Sequence, residues 1–341
     1  MTTSRERVIK TLNREPVDRA PRELWTTPAV ELACADELAE MTFRYPNDIV
    51  GPEFRWPRGK LAKGHPHDAG LHTDAWGCTW HAAKRGRPAE QKTHPLADPA
   101  RWAAFRPPFE LVENARPDAM NRACAAASQF VLARSQTRPL DRLRTLCGSE
   151  LALAELTAGS QPIRQLLSAL DEFSCREMEF WATTDVDGVA FRDDWGTETG
   201  LVLPRQVWRA LFRPLYQKYC RILHAADKFV FFQSQGKIDE IFADLIQVGV
   251  DAIHSQLAVM DLEKLAARYR GKVTFWNGIQ PEAVLRFGSP AEVRGEVDRV
   301  RRTLDFGCGG LIAQCQWDDG VPFANVAAVF QRWFEPLLAH A

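Results

Sequence analysis

The sequence predicts a (β/α)8 barrel, with three observations behind that reading. From residue 129 onward, apolar runs that stop abruptly at polar residues alternate with helix-like stretches, the pattern of right-handed βαβ units. About eight such strands spread over the chain suit a closed barrel better than an open sheet. No glycine-rich phosphate turn follows the first strand, which removes the main support for a dinucleotide-binding sheet. The run Lys228 to Phe232 shows the pattern most plainly. It has no polar break after Lys228, as a strand buried on both faces requires, and it ends in Gln233-Ser234-Gln235-Gly236. In a barrel, such carboxyl ends form the catalytic face.

Taken in order, Thr3 and Ser4 cap a helix over 3–13 that sets Val8, Ile9 and Leu12 on one side. The stretch 13–18, containing Pro16, ends it. Residues 20–25 read as the first strand and 47–54 as the second. Between 56 and 106 the chain turns to Pro, Gly, His and Trp with little periodicity, which reads as an insertion in a single domain spanning 1–341. Within it, Asp74 to His81 predicts a hairpin arm. The insertion holds His65, His67, His72, His81, His94 and Cys78, but their spacing matches no zinc pattern, so a solvent-facing arm is expected.

Beyond it, 129–134 reads as a strand ending at Arg134-Ser135, and 140–147 as either helix or strand. A helix follows from Gly148 through Leu156, and a long amphipathic one covers 161–183. Strand 186–191 ends in Arg192-Asp193-Asp194-Trp195-Gly196. Helix 205–226 precedes the central strand, and helix 237–248 follows it. Strand 251–253 ends at His254-Ser255-Gln256, and helix 262–269 comes next. Strand 272–276 ends at Asn277-Gly278, then helix 290–306. Strand 310–313 ends at Gln314-Cys315-Gln316-Trp317, and helix 323–338 closes the chain.

Composition narrows the function classes. With 341 residues, 45% hydrophobic and 26% charged, the chain can bury a large core. Its formal charge of −1 and lack of a Lys/Arg run argue against nucleic-acid binding. No apolar stretch is long enough for a membrane span, and the first residues lack the pattern of a signal peptide. A cytoplasmic location is expected. Cys34, Cys78, Cys124, Cys147, Cys175, Cys220, Cys308 and Cys315 form no CxxC pair, so they are expected as reduced, buried small hydrophobes.

In the barrel, the strand tips assemble Arg134, Asp193, Asp194, Gln233, Gln235, His254, Gln256, Asn277, Gln314 and Cys315. This set is rich in neutral amides, which both donate and accept and so can fix a polar organic ligand. Arg134, Gln233, Gln235, Asn277, Gln314 and Cys315 are the expected substrate-binding residues. Adjacent carboxylates cannot both project inward from an extended strand. Asp194 is assigned the inward, catalytic position, leaving Asp193 to cap a helix or pair with an arginine. His254 is a candidate acid, base or ligand.

Four stretches, Thr3 to Val8 with Pro16 to Pro21, Asp193-Asp194-Trp195-Gly196, Phe232 to Gly236, and Gly249 to Ala252, together resemble the uroporphyrinogen decarboxylase superfamily, which includes corrinoid-dependent methyltransferases. The resemblance spans nearly the whole chain. It implies a (β/α)8 barrel, often a homodimer, with its site at the carboxyl ends of the strands. In the methyltransferase branch, the strand resembling 228–236 ends in His-x-Cys, and a later Cys in a Gly-Cys-Gly-like stretch completes a zinc site that activates a thiol. Here Gln233 and Gln235 hold those positions, and only Cys308, in Phe306-Gly307-Cys308-Gly309, keeps the pattern. The expectation is no family zinc site, unless Cys308, Cys315 and His254 form a substitute.

The decarboxylase branch carries a Met-Arg-Gln-Ala-Gly-Arg-like stretch whose arginines bind substrate carboxylates. The corresponding stretch here is Arg22-Glu23-Leu24-Trp25-Thr26-Thr27, and Asp48 offers a short match to the aspartate that contacts pyrrole nitrogens. Tetrapyrrole decarboxylation is therefore the less favoured activity. The resemblance implies a methyltransferase-like enzyme for a small polar or aromatic substrate, using a corrinoid or folate methyl carrier, with a corrinoid protein as partner. Catalysis would rest on positioning by Asp194, Gln233, Gln235 and Asn277. The alternative is a non-catalytic barrel that serves as a binding scaffold.

Overall fold

The structure is a computed structural model describing residues 2–279, 282–305 and 307–335. Eight parallel strands form its centre: β1 (Arg22–Thr26), β2 (Ile49–Val50), β6 (Phe130–Arg134), β7 (Gly188–Arg192), β8 (Phe229–Gln233), β9 (Ala252–His254), β10 (Thr274–Asn277) and β11 (Leu311–Trp317). A separate antiparallel sheet contains β3 (Gly70–Thr73), β4 (Thr79–Ala82) and β5 (Glu90–Gln91). The eight run in the order β1-β11-β10-β9-β8-β7-β6-β2 and curl into a nearly closed barrel. At the seam between β1 and β2, the Asp48 N–H donates to the Arg22 carbonyl at 2.9 Å and the Leu24 N–H donates to Asn47 Oδ1 at 2.8 Å.

Alternation along each strand divides the core in two, as the twofold period of a strand requires. Ile49, Phe130, Leu132, Ala190, Phe231, Ala252, Trp276 and Ile312 fill the barrel. Their sequence neighbours, including Val131, Val189, Val230, Ile253, Phe275, Ala313 and Cys315, pack against the surrounding helices. The first helix, Ser4–Leu12, has a capping box between Thr3 and Glu6 and places Val8 and Leu12 in the barrel interior, closing its amino end.

Asp48 lies at this amino end, just before β2 and fully buried. Arg7 Nη1 and Arg19 Nη1 lie 2.7 and 2.6 Å from its oxygens, and the Arg22 N–H donates at 2.8 Å. Burial alone would raise its pKa, but Arg19 and the other donors hold it below the ordinary carboxylate value. Asp48 therefore ties β1, β2 and the first helix together, far from the strand tips. It does not take the pyrrole-contacting role that the resemblance suggested.

Most predicted elements appear with shifted ends. The second strand shrinks from 47–54 to Ile49–Val50, because Gly51 and Pro52 stop the pairing. Residues 140–147 are helical, within Pro139–Cys147. The predicted helix 205–226 is broken into Arg205–Val207, a wider turn at Trp208–Phe212 and a helix at Arg213–His224. The last strand extends to Trp317. Part of the predicted closing helix, beyond Glu335, lies outside the described residues.

The insertion departs further from expectation. Asp74 to His81 is not the whole hairpin: Asp74 to Cys78 forms the turn between β3 and β4, with Asp74 Oδ1 accepting from the Trp76 and Cys78 N–H groups. Nor is the arm simply solvent-facing. Trp76 packs edge-on against Phe173 at 4.8 Å, and the Leu96 N–H donates to the Leu146 carbonyl. The arm is thereby bound to the helices Pro139–Cys147 and Gln161–Ala182.

Candidate active site

The floor of the barrel mouth is built by alternate residues of β1, β6 and β10. Trp276 Nε1 donates to Glu23 Oε2 at 2.6 Å, and Arg134 Nη2 lies 3.2 Å from Glu23 Oε1. The Arg134 guanidinium stands 4.6 Å over the Trp25 ring and 5.2 Å from the Trp276 ring. Burial raises the Glu23 pKa, and Arg134 opposes that rise. Sequence reasoning treated Arg22 to Thr27 only as a substitute carboxylate site. The signal it missed was the alternation Glu23, Trp25, which puts a carboxyl and an indole on one face of a strand.

The wall between β7 and β8 uses every residue of Asp193-Asp194-Trp195-Gly196. Asp193 is fully buried and accepts from the Leu140 and Asp141 N–H groups at 3.0 and 2.8 Å, so it caps the helix Pro139–Cys147. Tyr216 also donates to it. Burial, then repulsion from Asp141, pushes Asp193 up to about 8, against the pull of these donors. Asp194 lies at the rim, with Oδ1 accepting from the Gln235 N–H at 3.0 Å and Oδ2 at 3.1 Å from Arg192. Trp195 is buried, its Nε1 donating to Tyr216 at 3.0 Å. Gly196 and Gly236 touch so closely that a Cβ on Gly236, whose φ is +73°, would lie 2.2 Å from the Gly196 carbonyl carbon.

Register then aligns the functional layer. Arg192 pairs with Gln233, and Gln233 with His254, while Glu23 pairs with Gln314 and Trp25 with Gln316. These tips line a cleft with two ends. One cavity, of about 370 Å³, is bounded by Gln235, His254, Gln256, Ile279, Gln314 and Val321 among others. The other, of about 770 Å³, is bounded by Arg134, Ser135, Arg138, Arg142 and Phe191 among others. Trp25, Arg192, Gln233 and Gln316 line both.

His254 is buried, with its ring centroid 4.8 Å from that of Trp25. Burial pushes its imidazole down to about 4, against a smaller upward pull from Gln314. It is therefore neutral at pH 7 and weakly basic. His254 Nδ1, Gln314 Nε2 and Trp25 Nε1 are buried without hydrogen-bond partners among the described residues.

Three expected residues lie elsewhere. Asn277 is buried on the outward side of β10, where its Nδ2 donates to the Ser255 carbonyl at 2.6 Å; it does not line either cavity. Cys315 faces the helices, and burial pushes its thiol up to about 12. Cys308 precedes β11 at the amino end of the barrel, where Gly310 bonds to the first helix. Cys308, Cys315 and His254 are thus not brought together. Gln233 and Gln235, where the resemblance would put zinc ligands, carry amides, which are poor partners for zinc beside thiolate and imidazole. Among the described residues, no group of three His, Cys, Asp or Glu side chains is placed to hold a metal, and no helix is long and apolar enough to cross a membrane.

The fold and this arrangement can be set beside known proteins. A methyltransferase from Methanosarcina mazei superposes with a TM-score of 0.73 over 98% of both chains, at 13% identity, and shares the fold. A glycosylated endo-β-1,4-xylanase from Gloeophyllum trabeum, at 12% identity over 94% of this chain and 98% of its own, reaches only 0.49. No curated protein matches by sequence. The uroporphyrinogen decarboxylase (URO-D) family profile matches residues 118–332, a stretch that holds β6 to β11 and most of the mouth. The chain belongs to the uroporphyrinogen decarboxylase family.

Proposed function

We propose that the barrel mouth is the active site of a methyltransferase-like enzyme for a small polar or aromatic substrate. The observation that carries this reading is that Trp25, His254 and Gln314 line one cavity and each carries a buried side-chain nitrogen (Nε1, Nδ1 and Nε2) without a hydrogen-bond partner among the described residues. Buried polar groups without partners are costly, and a bound ligand is one way to satisfy them. The fold shared with a methyltransferase supports the same reading.

The chain's own residues would act by positioning. Gln233 presents its carboxamide at the junction of the two cavities and Gln235 lines the smaller one, and Asp194 fixes the Gln235 backbone and Arg192. His254, held neutral, serves as a hydrogen-bonding group rather than a proton donor at pH 7. Aligning a methyl group with its acceptor in such a site lowers the barrier through orientation. A corrinoid or folate carrier would supply or accept the methyl group. No step is assigned to zinc.

Methyl transfer measured across a panel of small methyl ethers, amines and thiols, with corrinoid or folate carriers, tests this. The expected result is turnover by wild type that falls at least tenfold in Gln314→Leu, given the typical worth of a positioned hydrogen bond (roughly 2–4 kcal/mol). No turnover across the panel, combined with tight binding of a partner protein, would instead identify a scaffold.

A further inference from the structure

The larger end of the cleft is cationic, and its positive charges are unequally matched. Arg134 is opposed by Glu23 and Arg192 by Asp194. Arg138 and Arg142 also line the cavity, and neither forms an ion pair among the described residues. The one carboxylate in the lining, Glu31, is at the exposed rim and accepts from Thr26 Oγ1.

Arg142 is the telling member. It is 4% exposed, its guanidinium stands 4.0 Å over the Trp76 ring, and its Nε and Nη1 find no hydrogen-bond partner among the described residues. Burial pushes its pKa down to about 9, with Arg138 adding to the effect. The nearby carboxylates are already engaged. Asp74 accepts from the Trp76 and Cys78 N–H groups and from Trp80 Nε1. Glu177 accepts from the Gln136 N–H, Thr137 Oγ1 and Trp181 Nε1. A buried guanidinium with unmet donors is expensive unless an anion completes it.

We infer that Arg142 and Arg138 form an anion subsite that holds a carboxylate of the substrate, with its reactive end in the amide-lined cavity near Gln233 and His254. This rests on the mouth being the substrate site. A carboxylate fits better than a phosphate. Phosphate sites commonly recruit the free N–H groups of a helix N-terminus, but the N–H groups of Leu140 and Asp141 are taken by Asp193. The anion must then be met by guanidinium forks, whose planar geometry matches a carboxylate. Trp25 in the same lining gives the substrate body an apolar surface.

Calorimetric titration of the full chain with benzoate, benzamide and phenyl phosphate tests this without any methyl transfer, so the binding result and the methyl-transfer assay can fail separately. Benzoate is expected to bind wild type, benzamide to bind at least tenfold more weakly, and phenyl phosphate no tighter than benzoate. Arg142→Met and Arg138→Gln should each weaken benzoate roughly tenfold to a hundredfold, the range for hydrogen bonds to charged groups. Arg142→Met should leave the melting temperature of the free protein unchanged or raised, because it removes an unpaired buried charge. Equal binding of benzoate and benzamide, benzoate binding insensitive to both substitutions, or tighter binding of phenyl phosphate would overturn the assignment. If Arg142→Met fails to fold, the surface-accessible Arg138→Gln carries the same test.

Discussion

Asp194 accepts the Gln235 N–H at 3.0 Å, linking the tip of β7 to the tip of β8. With Arg192 held by the other carboxylate oxygen, this one side chain sets the spacing of two residues that line the cleft. Removing it in Asp194→Leu should free the Gln235 amide, and hydrogen exchange at Gln235 should lose its protection. Global stability should fall by no more than about 1 kcal/mol, since the ion pair is partly exposed. An unchanged exchange rate at Gln235 would contradict the anchoring role.

The neighbouring carboxylate has the opposite weighting. Asp193 caps the helix Pro139–Cys147 and receives Tyr216 in a fully buried setting. Asp193→Ala should cost roughly 2–4 kcal/mol in urea unfolding, through a lost cap and unsatisfied donors. A smaller loss than for Asp194→Leu would reverse the roles assigned to the pair.

Gly236 makes a close backbone contact in the mouth. An alanine there would be strained twice, by its φ of +73° and by collision with the Gly196 backbone at 2.2 Å. Gly236→Ala should destabilise by about 2 kcal/mol or more, whereas Gly200→Ala, with open space around it, should be nearly neutral. Thermal unfolding of the two variants makes the comparison.

His254 gives stability a pH dependence of defined sign. Burial lowers its folded pKa to about 4 from the ordinary imidazole value of 6.5. The unfolded chain therefore binds more protons than the folded one between those values, and stability rises with pH across that window. The contribution is present above about pH 6.5 and lost as pH falls toward 4. His254→Phe should flatten this part of the urea-unfolding profile, and the His254 ring resonances in wild type should not titrate above about pH 5. Titration of His254 near pH 6.5 would contradict the buried, neutral assignment.

The barrel was legible because each β6 to β11 strand is apolar and ends in polar residues, a pattern that survives errors of one or two positions at the boundaries. That one of Asp193 and Asp194 would cap a helix was also legible, since neighbours on a strand face opposite ways, and Asp193 does so. Asp194, expected to point inward, instead anchors the Gln235 N–H and Arg192 and lines neither cavity. The same rule, applied to other strands, would have placed Cys315 and Asn277 on the helix-facing side, opposite Gln314 and Trp276. It failed there because sequence alone does not say which parity faces inward until one strand's register is known. Arg142 was beyond reach for a different reason. It lies on a helix, not a strand tip, and its isolation depends on Asp74 and Glu177 being engaged elsewhere. The packed arm was misread because its apolar residues follow no regular period.

The claim on which the account turns is that the strand tips work with amides where related methyltransferases resembled by this chain would place zinc ligands. Zinc content of protein purified with zinc in the medium, measured by mass spectrometry for wild type and Cys308→Ala, is the direct test. The account predicts no stoichiometric zinc and no difference between the two proteins. One zinc per chain, lost in Cys308→Ala, would contradict it.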